Sequence, residues 1–175
     1  RLAFLPGCTY ALNLAILGLP WRADDVAVMS SVEHHAVSRP IRKAAKRHGF
    51  RFETLAWSKG APVDLEELER ILKTERVRLV ACTMASNVTG EVLPVKQIAR
   101  MAREHGAFCL IDAAQAAGVV PVDVEDIGAD MIGFAGHKGL FGPVGVGGLW
   151  VNGSVDLSTL AEGGTGGDSG RHEMS

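Results

Sequence analysis

Cysteine is scarce in this chain, and the three that occur, Cys8, Cys82 and Cys109, stand far apart in apolar or glycine-rich segments with no CxxC spacing. That pattern excludes a zinc ribbon and a disulfide scaffold, and it suits reduced thiols. A surplus of either charge is also missing, since 18 Lys and Arg against 20 Asp and Glu leave a formal net charge of −2. With its basic residues scattered rather than clustered, the chain is not expected to hold a polyanion, so nucleic acid is set aside as a partner. No apolar run approaches the ~20 residues that cross a bilayer, and no charged-then-apolar leader opens the chain. The expectation is a soluble, cytoplasmic protein with no membrane partner. No initiator Met precedes Arg1, and the residues from Gly163 onward are Gly-rich and polar without a closing element. The chain therefore reads as a piece cut at both ends.

What is there suffices for a sizeable core: 175 residues, 47% hydrophobic and 22% charged. Residues 9–17 are apolar-periodic and stop at Gly18, which predicts a short helix. Strands are expected over 26–30, 50–55, 79–84, 108–111, 131–135 and 146–151. Helices are expected between several of them: 36–48 with basic residues on one face and Gly49 just past its end, 64–74 with Leu65, Leu68, Ile71 and Leu72 in one stripe, and 94–105 opened by a proline and closed by Gly106. Apolar strands alternating with helices of about ten residues imply right-handed crossovers and a mostly parallel sheet covered on both faces, a three-layer α/β/α fold. In such sheets ligands collect beyond the carboxyl ends of the strands, so polar residues there deserve the closest reading.

Ala135-Gly136-His137-Lys138 follows the apolar strand 131–135 directly and leads into Gly139-Leu140-Phe141-Gly142-Pro143. A lysine wrapped in glycines at a strand's end approaches a ligand without side chains in the way; alternatively it is a solvated loop lysine. Earlier in the chain, Asp112 closes the strand 108–111 within Leu110-Ile111-Asp112-Ala113-Ala114-Gln115. A carboxylate ending an apolar strand must find a partner, because an unpaired buried charge costs several kcal/mol. Two partners are open: the amides of a following turn or helix, or the cationic nitrogen of a pyridinium ring, which a paired aspartate keeps protonated as an electron acceptor. Gln115, one turn further on, reaches toward such a ring's phenolic oxygen. The adjacent His34 and His35 lack a third ligand at metal spacing, and no metal site is expected.

Asp112-x-x-Gln115 followed by Gly136-His137-Lys138 resembles the cofactor core of cysteine desulfurases and selenocysteine lyases, members of the class V aminotransferase superfamily. The similarity extends over nearly the whole chain. Gly7-Cys8-Thr9-Tyr10-Ala11-Leu12-Asn13 is similar to the family's phosphate-binding helix start, Glu33-His34-His35 to its Glu-His-His segment, and Ser86-Asn87-Val88-Thr89-Gly90 to its Ser-Asn-x-x-Gly turn. The resemblance implies the pyridoxal-phosphate-dependent transferase fold of type I. It also implies pyridoxal 5'-phosphate as cofactor, carried by Lys138 as a Schiff base. Lys138 then moves protons at the substrate's α-carbon, with His34 stacked on the ring as the second catalytic residue. Gly7, Cys8, Thr9 and His137 are implied to hold the phosphate, Asn87 to touch the ring hydroxyl, Asp112 to pair with the ring nitrogen and Gln115 to meet the phenolic oxygen.

The implied reaction converts L-cysteine to L-alanine, passing sulfur to a persulfide and on to an acceptor protein, in a homodimer. Another enzyme of the same superfamily (an aminotransferase, epimerase or selenocysteine lyase) and a non-catalytic α/β module are the rival readings. Residues 1–162 are expected to form part of the cofactor-binding large domain, without its amino-terminal start or the small carboxyl-terminal domain, and residues 163–175 a truncated Gly-rich loop. Ala135 stands where cysteine desulfurases often have a phosphate-holding Ser, and Tyr10 where Glu is frequent. None of the three cysteines suits an exposed nucleophile loop.

Overall fold

The computed structural model describes residues 1–56 and 63–161. The expected Gly-rich loop, including Gly163 to Gly167, lies outside the described residues. Seven strands, β1 (Leu2–Leu5), β2 (Val26–Ser30), β3 (Arg51–Leu55), β4 (Val77–Thr83), β5 (Phe108–Asp112), β6 (Met131–Ala135) and β7 (Gly147–Val151), form one sheet in the order β1-β7-β6-β5-β4-β2-β3. Four pairings are parallel, β2 with β3 and β4, β4 with β5, and β5 with β6, and the two that attach β7 are antiparallel. The mostly parallel α/β architecture expected from the alternation is thus observed. Two features go beyond it. Leu2–Leu5 is an edge strand, and β7 returns beside β6 without a crossover helix, because the Gly-rich stretch between them carries no helical period.

Helices cover both faces. Helix α1 (Cys8–Leu17) and α2 (His35–His48) lie on one side and bury Leu12, Ile16, Val37 and Ile41 against Ala27, Met29, Leu79, Leu110, Met131 and Leu149. The opposite side holds α3 (Leu65–Thr74), α4 (Val95–Glu104) and the short α5 (Val124–Ile127), packed on Val28, Val80, Cys82, Cys109, Ile111 and Ile132. Adjacent strand residues fall into opposite clusters, as the pleat requires, so β4 and β5 are apolar on both faces. Each fully buried Leu or Ile contributes about 1.5–3 kcal/mol relative to exposure.

Local chemistry explains the element ends. Asp64 caps α3 by accepting the Glu67 amide at 3.0 Å, and Gly49 ends α2 at φ 81, the left-handed turn read from the sequence. Helix α2 carries Arg39, Arg42, Lys43, Lys46 and Arg47 and no acidic residue. All five are exposed, as the basic face expected for this helix requires. Among the described residues no helix is long and apolar enough to cross a membrane.

Candidate functional site

Strands β2, β4, β5 and β6 point the same way, and β1 joins them because two antiparallel pairings separate it from β6. Their carboxyl ends share one edge of the sheet, and a cavity of about 350 Å³ opens there. Every residue given a cofactor role lines it: Gly7, Cys8 and Thr9 at the start of α1, His34 before α2, Asn87 after β4, Asp112 at the end of β5 with Gln115 beyond it, and His137 and Lys138 after β6. Six chain segments, counting the stretch that leads into β7 at Gly145, supply one wall each.

The α1 terminus is shaped to leave its amides free. Gly7 occupies the cap position at φ 89 and provides no side-chain acceptor, so the first-turn N–H groups have no capping oxygen. Thr9 lies inside the first turn, with its carbonyl accepting from Asn13 Nδ2 at 2.9 Å. The turn is set close against β7: a Cβ on Gly147 would lie 2.5 Å from Cys8 N and from Gly7 C, both main-chain atoms that cannot swing aside. Glycine at 147 is what permits the approach. Free amides and the positive helix end create an anion site facing the cavity.

His34 is the cap of α2, its Nδ1 accepting the Ala36 amide at 3.1 Å. That bond places the ring proton on Nε2 and fixes the ring at the cavity wall. Asn87 sits in a turn built by Ser86, whose hydroxyl accepts the amides of Val88 and Thr89 at 3.2 and 3.3 Å. Lys138 is half-buried, in a turn stapled by Phe141 N–H to the Lys138 carbonyl at 2.9 Å and by Gly142 N–H to the Gly136 carbonyl at 2.7 Å. Phe141 adopts φ 55, a left-handed conformation that costs a residue with a side chain about 1–2 kcal/mol.

Asp112 is buried on the cavity floor, where one carboxylate oxygen accepts the Ala114 amide at 2.9 Å and the Cys8 thiol at 3.6 Å. Both partners expected for this carboxylate are thus compatible with the geometry: a turn amide is engaged, and the group still faces the cavity. Burial pushes its carboxyl group above the usual carboxylate range, making it a weaker acid, while the Ala114 and Cys8 hydrogen bonds and the nearby Lys138 and His34 pull the other way. A further cation beside it would be stabilised strongly.

All three thiols are buried. Burial pushes each of them well above the ordinary range, with Asp112 adding to the effect at Cys8, Glu33 at Cys82 and Asp130 at Cys109. Little thiolate forms at neutral pH, which leaves all three slow to react. Alkylation of the native protein at pH 7 is accordingly expected to leave Cys8, Cys82 and Cys109 unmodified while all three react after denaturation, as mass spectrometry reads directly. Rapid native modification of any of them would contradict this description.

Two residues at the site were not singled out in sequence. Thr83 lines the cavity as the last residue of β4, hidden within an otherwise apolar strand. The Glu33 carboxyl group is buried and accepts from Ser30 Oγ at 2.5 Å and from the Thr83 amide at 2.6 Å. A charged residue just after a fully buried strand was the available signal. Ala135 also lines the cavity, so no hydroxyl is contributed from that position.

The chain is similar to known proteins over most of its length. The family model described as aminotransferase class-V matches residues 1–169. A probable cysteine desulfurase of Pseudomonas aeruginosa is 38% identical over 171 residues, which is 97% of this chain and 42% of that protein. The cysteine desulfurase of Pectobacterium atrosepticum is 37% identical over 153 residues, covering 86% of this chain and 37% of its own length. Among solved structures, the apo cysteine desulfurase of Thermococcus onnurineus NA1 superposes with a TM-score of 0.82 at 33% identity, over 87% of this chain and 38% of that one. A C-DES mutant with glycine covalently linked to its PLP cofactor superposes with a TM-score of 0.79 at 28% identity, over 87% and 41%. The chain thus spans about two fifths of the length of these relatives.

Proposed function

The chain belongs to the aminotransferase class-V family, and from that membership we propose that its cavity holds pyridoxal phosphate and serves a cysteine desulfurase, which converts L-cysteine to L-alanine and passes the sulfur to a thiol as a persulfide. The observation that carries this reading is the placement of the Lys138 amine and the Asp112 carboxylate on the walls of one cavity of about 350 Å³, beside an α1 terminus with no side-chain cap. The residues present fit the cofactor. Asp112 is buried, its negative charge is disfavoured by that burial, and a pyridinium nitrogen is a partner that offsets the cost. The amides of the first turn of α1 suit a phosphate, with His137 at the rim.

When bound, the cofactor ring supplies an acceptor for the electrons released as a bond at an amino acid's α-carbon is broken. Lys138 contributes the amine that anchors the group and then carries protons to and from the α-carbon. Asp112 keeps the ring nitrogen protonated, His34 covers one ring face with an imidazole that is already fixed by its cap bond, and Asn87 and Gln115 orient the ring's oxygen. Sulfur transfer needs a thiolate that attacks the substrate sulfur. The sulfur–carbon electron pair stays on the carbon, which takes a proton and leaves as alanine. Cys8, Cys82 and Cys109 are buried, so the attacking thiol belongs to another part of the complete protein or to an acceptor.

A second copy of the chain completes this picture: the loops after β4 and β6 expose Val88, Phe141 and Val144 at 83%, 94% and 88% beside the site, apolar surface suited to a homodimer contact. The test uses the complete protein loaded with pyridoxal phosphate and supplied with L-cysteine. With a dithiol added to reduce the persulfide, formation of alanine and sulfide in equal amounts is expected. A keto acid product would move the assignment to an aminotransferase, and failure to bind the cofactor would remove the enzymatic reading altogether.

A further inference from the structure

We propose that Glu33 is a positioning residue of the cavity: as a neutral acid it closes the gap where β2 and β4 part, and so fixes His34 beside it and Thr83 and Asp112 across the sheet. The gap is visible in the register. Pairing between β2 and β4 stops at Met29 opposite Ala81, and the chain after β2 turns to β3 instead, with the Ser31 amide donating to the Leu55 carbonyl. The Thr83 amide is left without the main-chain acceptor that a longer β2 would provide. A buried N–H cannot remain unpaired without cost. Glu33 Oε1 takes that place at 2.6 Å and also accepts the Ser30 hydroxyl at 2.5 Å, tying the end of β2 to the end of β4.

What the clamp holds is the site itself. Thr83 lines the cavity and lies in register with Asp112, whose carbonyl accepts the Met84 amide. His34 is the next residue in sequence and the cap of α2. One carboxyl group therefore connects the His34 wall to the Asp112 floor.

Its protonation state follows from its surroundings. Glu33 Oε2 is buried with no hydrogen-bond partner, an arrangement far less costly for a neutral acid than for a carboxylate. Burial raises the acid to about 8, opposed by the Ser30 and Thr83 hydrogen bonds and reinforced by Asp112. The charged or titratable groups around it are Asp112 on β5, Cys82 on β4 and the neighbouring His34. With Glu33 neutral, Asp112 is the one negative charge at the cavity floor. Only the consequence for the cofactor rests on the function proposed above; the clamp and its proton do not.

Two variants of the complete protein, followed by three readouts, separate these statements. Glu33→Ala is expected to weaken pyridoxal phosphate binding about tenfold or more, the effect of stranding a buried amide, and Glu33→Gln, which keeps the acceptor oxygen, to restore most of it. Hydrogen exchange at the Thr83 amide should be slow in the wild type and Glu33→Gln and fast in Glu33→Ala. The third readout is melting of the cofactor-free protein. The folded-state acid is raised from its ordinary 4.5 to about 8, so folding takes up a proton between those values and stability falls as pH rises through them, levelling above. Glu33→Gln lacks this loss, and its melting temperature should pull ahead of the wild type from pH 5 to 8. A pH-independent gap overturns the neutral acid, and equal damage from Gln and Ala overturns the clamp. A wild type that binds no cofactor sinks the enzymatic reading while exchange and melting still decide on Glu33.

Discussion

Lys138→Ala in the complete protein is expected to lower cysteine turnover by about 10³-fold or more, since it removes both the covalent anchor and the proton carrier. Visible absorption from pyridoxal phosphate bound to a lysine should vanish as well. The fold should survive. Lys138 is half-buried on the cavity wall, and it is its main-chain carbonyl, not its amine, that closes the turn with Phe141. A change of this kind at a partly exposed position shifts stability by about 0.5 kcal/mol or less. Melting curves that coincide for wild type and variant, beside absent turnover, are the expected pair of results. Retention of the lysine-bound spectrum in the variant would show that another amine carries the cofactor and would move the site.

Asp112→Asn should separate stability from function in opposite directions. Asparagine keeps an oxygen for the Ala114 amide, now accepted at 2.9 Å, while it removes a negative charge that burial disfavours. The cofactor-free variant is therefore expected to melt no lower than the wild type, and to pull ahead as pH rises past the ordinary carboxylate range, where the wild type loses the stability of its protonated acid. With cofactor the order reverses. Breaking a buried, hydrogen-bonded charge pair costs about 2–5 kcal/mol, which corresponds to a loss of about 30- to 4,000-fold in kcat/KM. The measurement is a thermal scan with and without pyridoxal phosphate, together with steady-state kinetics. Unchanged kinetics in Asp112→Asn would mean that the carboxylate faces no cation in the working protein.

Much of this architecture is legible in the linear order of residues because its signals are local. Strand β4 is an apolar run, α3 is an Asp-capped stripe, and Gly49 occupies the left-handed position after α2; each is decided within a few residues. The convergence of Thr9, His34, Asn87, Asp112 and Lys138 also follows from a local rule, since each stands at or shortly after the end of a strand and parallel strands end on a common edge. What escaped the sequence depends on distant partners. The strand character of Leu2–Leu5 is decided by Gly147–Val151, and the direction of β7 by the absence of a helix in the preceding loop. Glu33 looks like any polar turn residue until the early end of the β2–β4 register exposes an amide that needs it.

The pairing of the first strand with the last has a consequence for how the molecule is made. On a growing polypeptide, Leu2–Leu5 cannot make its pairing with β7 until Gly147–Val151 has been synthesised. The anion-gripping end of the cavity, which follows that strand directly, is put in place at the same late moment. A nascent chain that has passed Lys138 but not Gly147–Val151 therefore carries the lysine and the aspartate without the strand that seats the α1 terminus beside them.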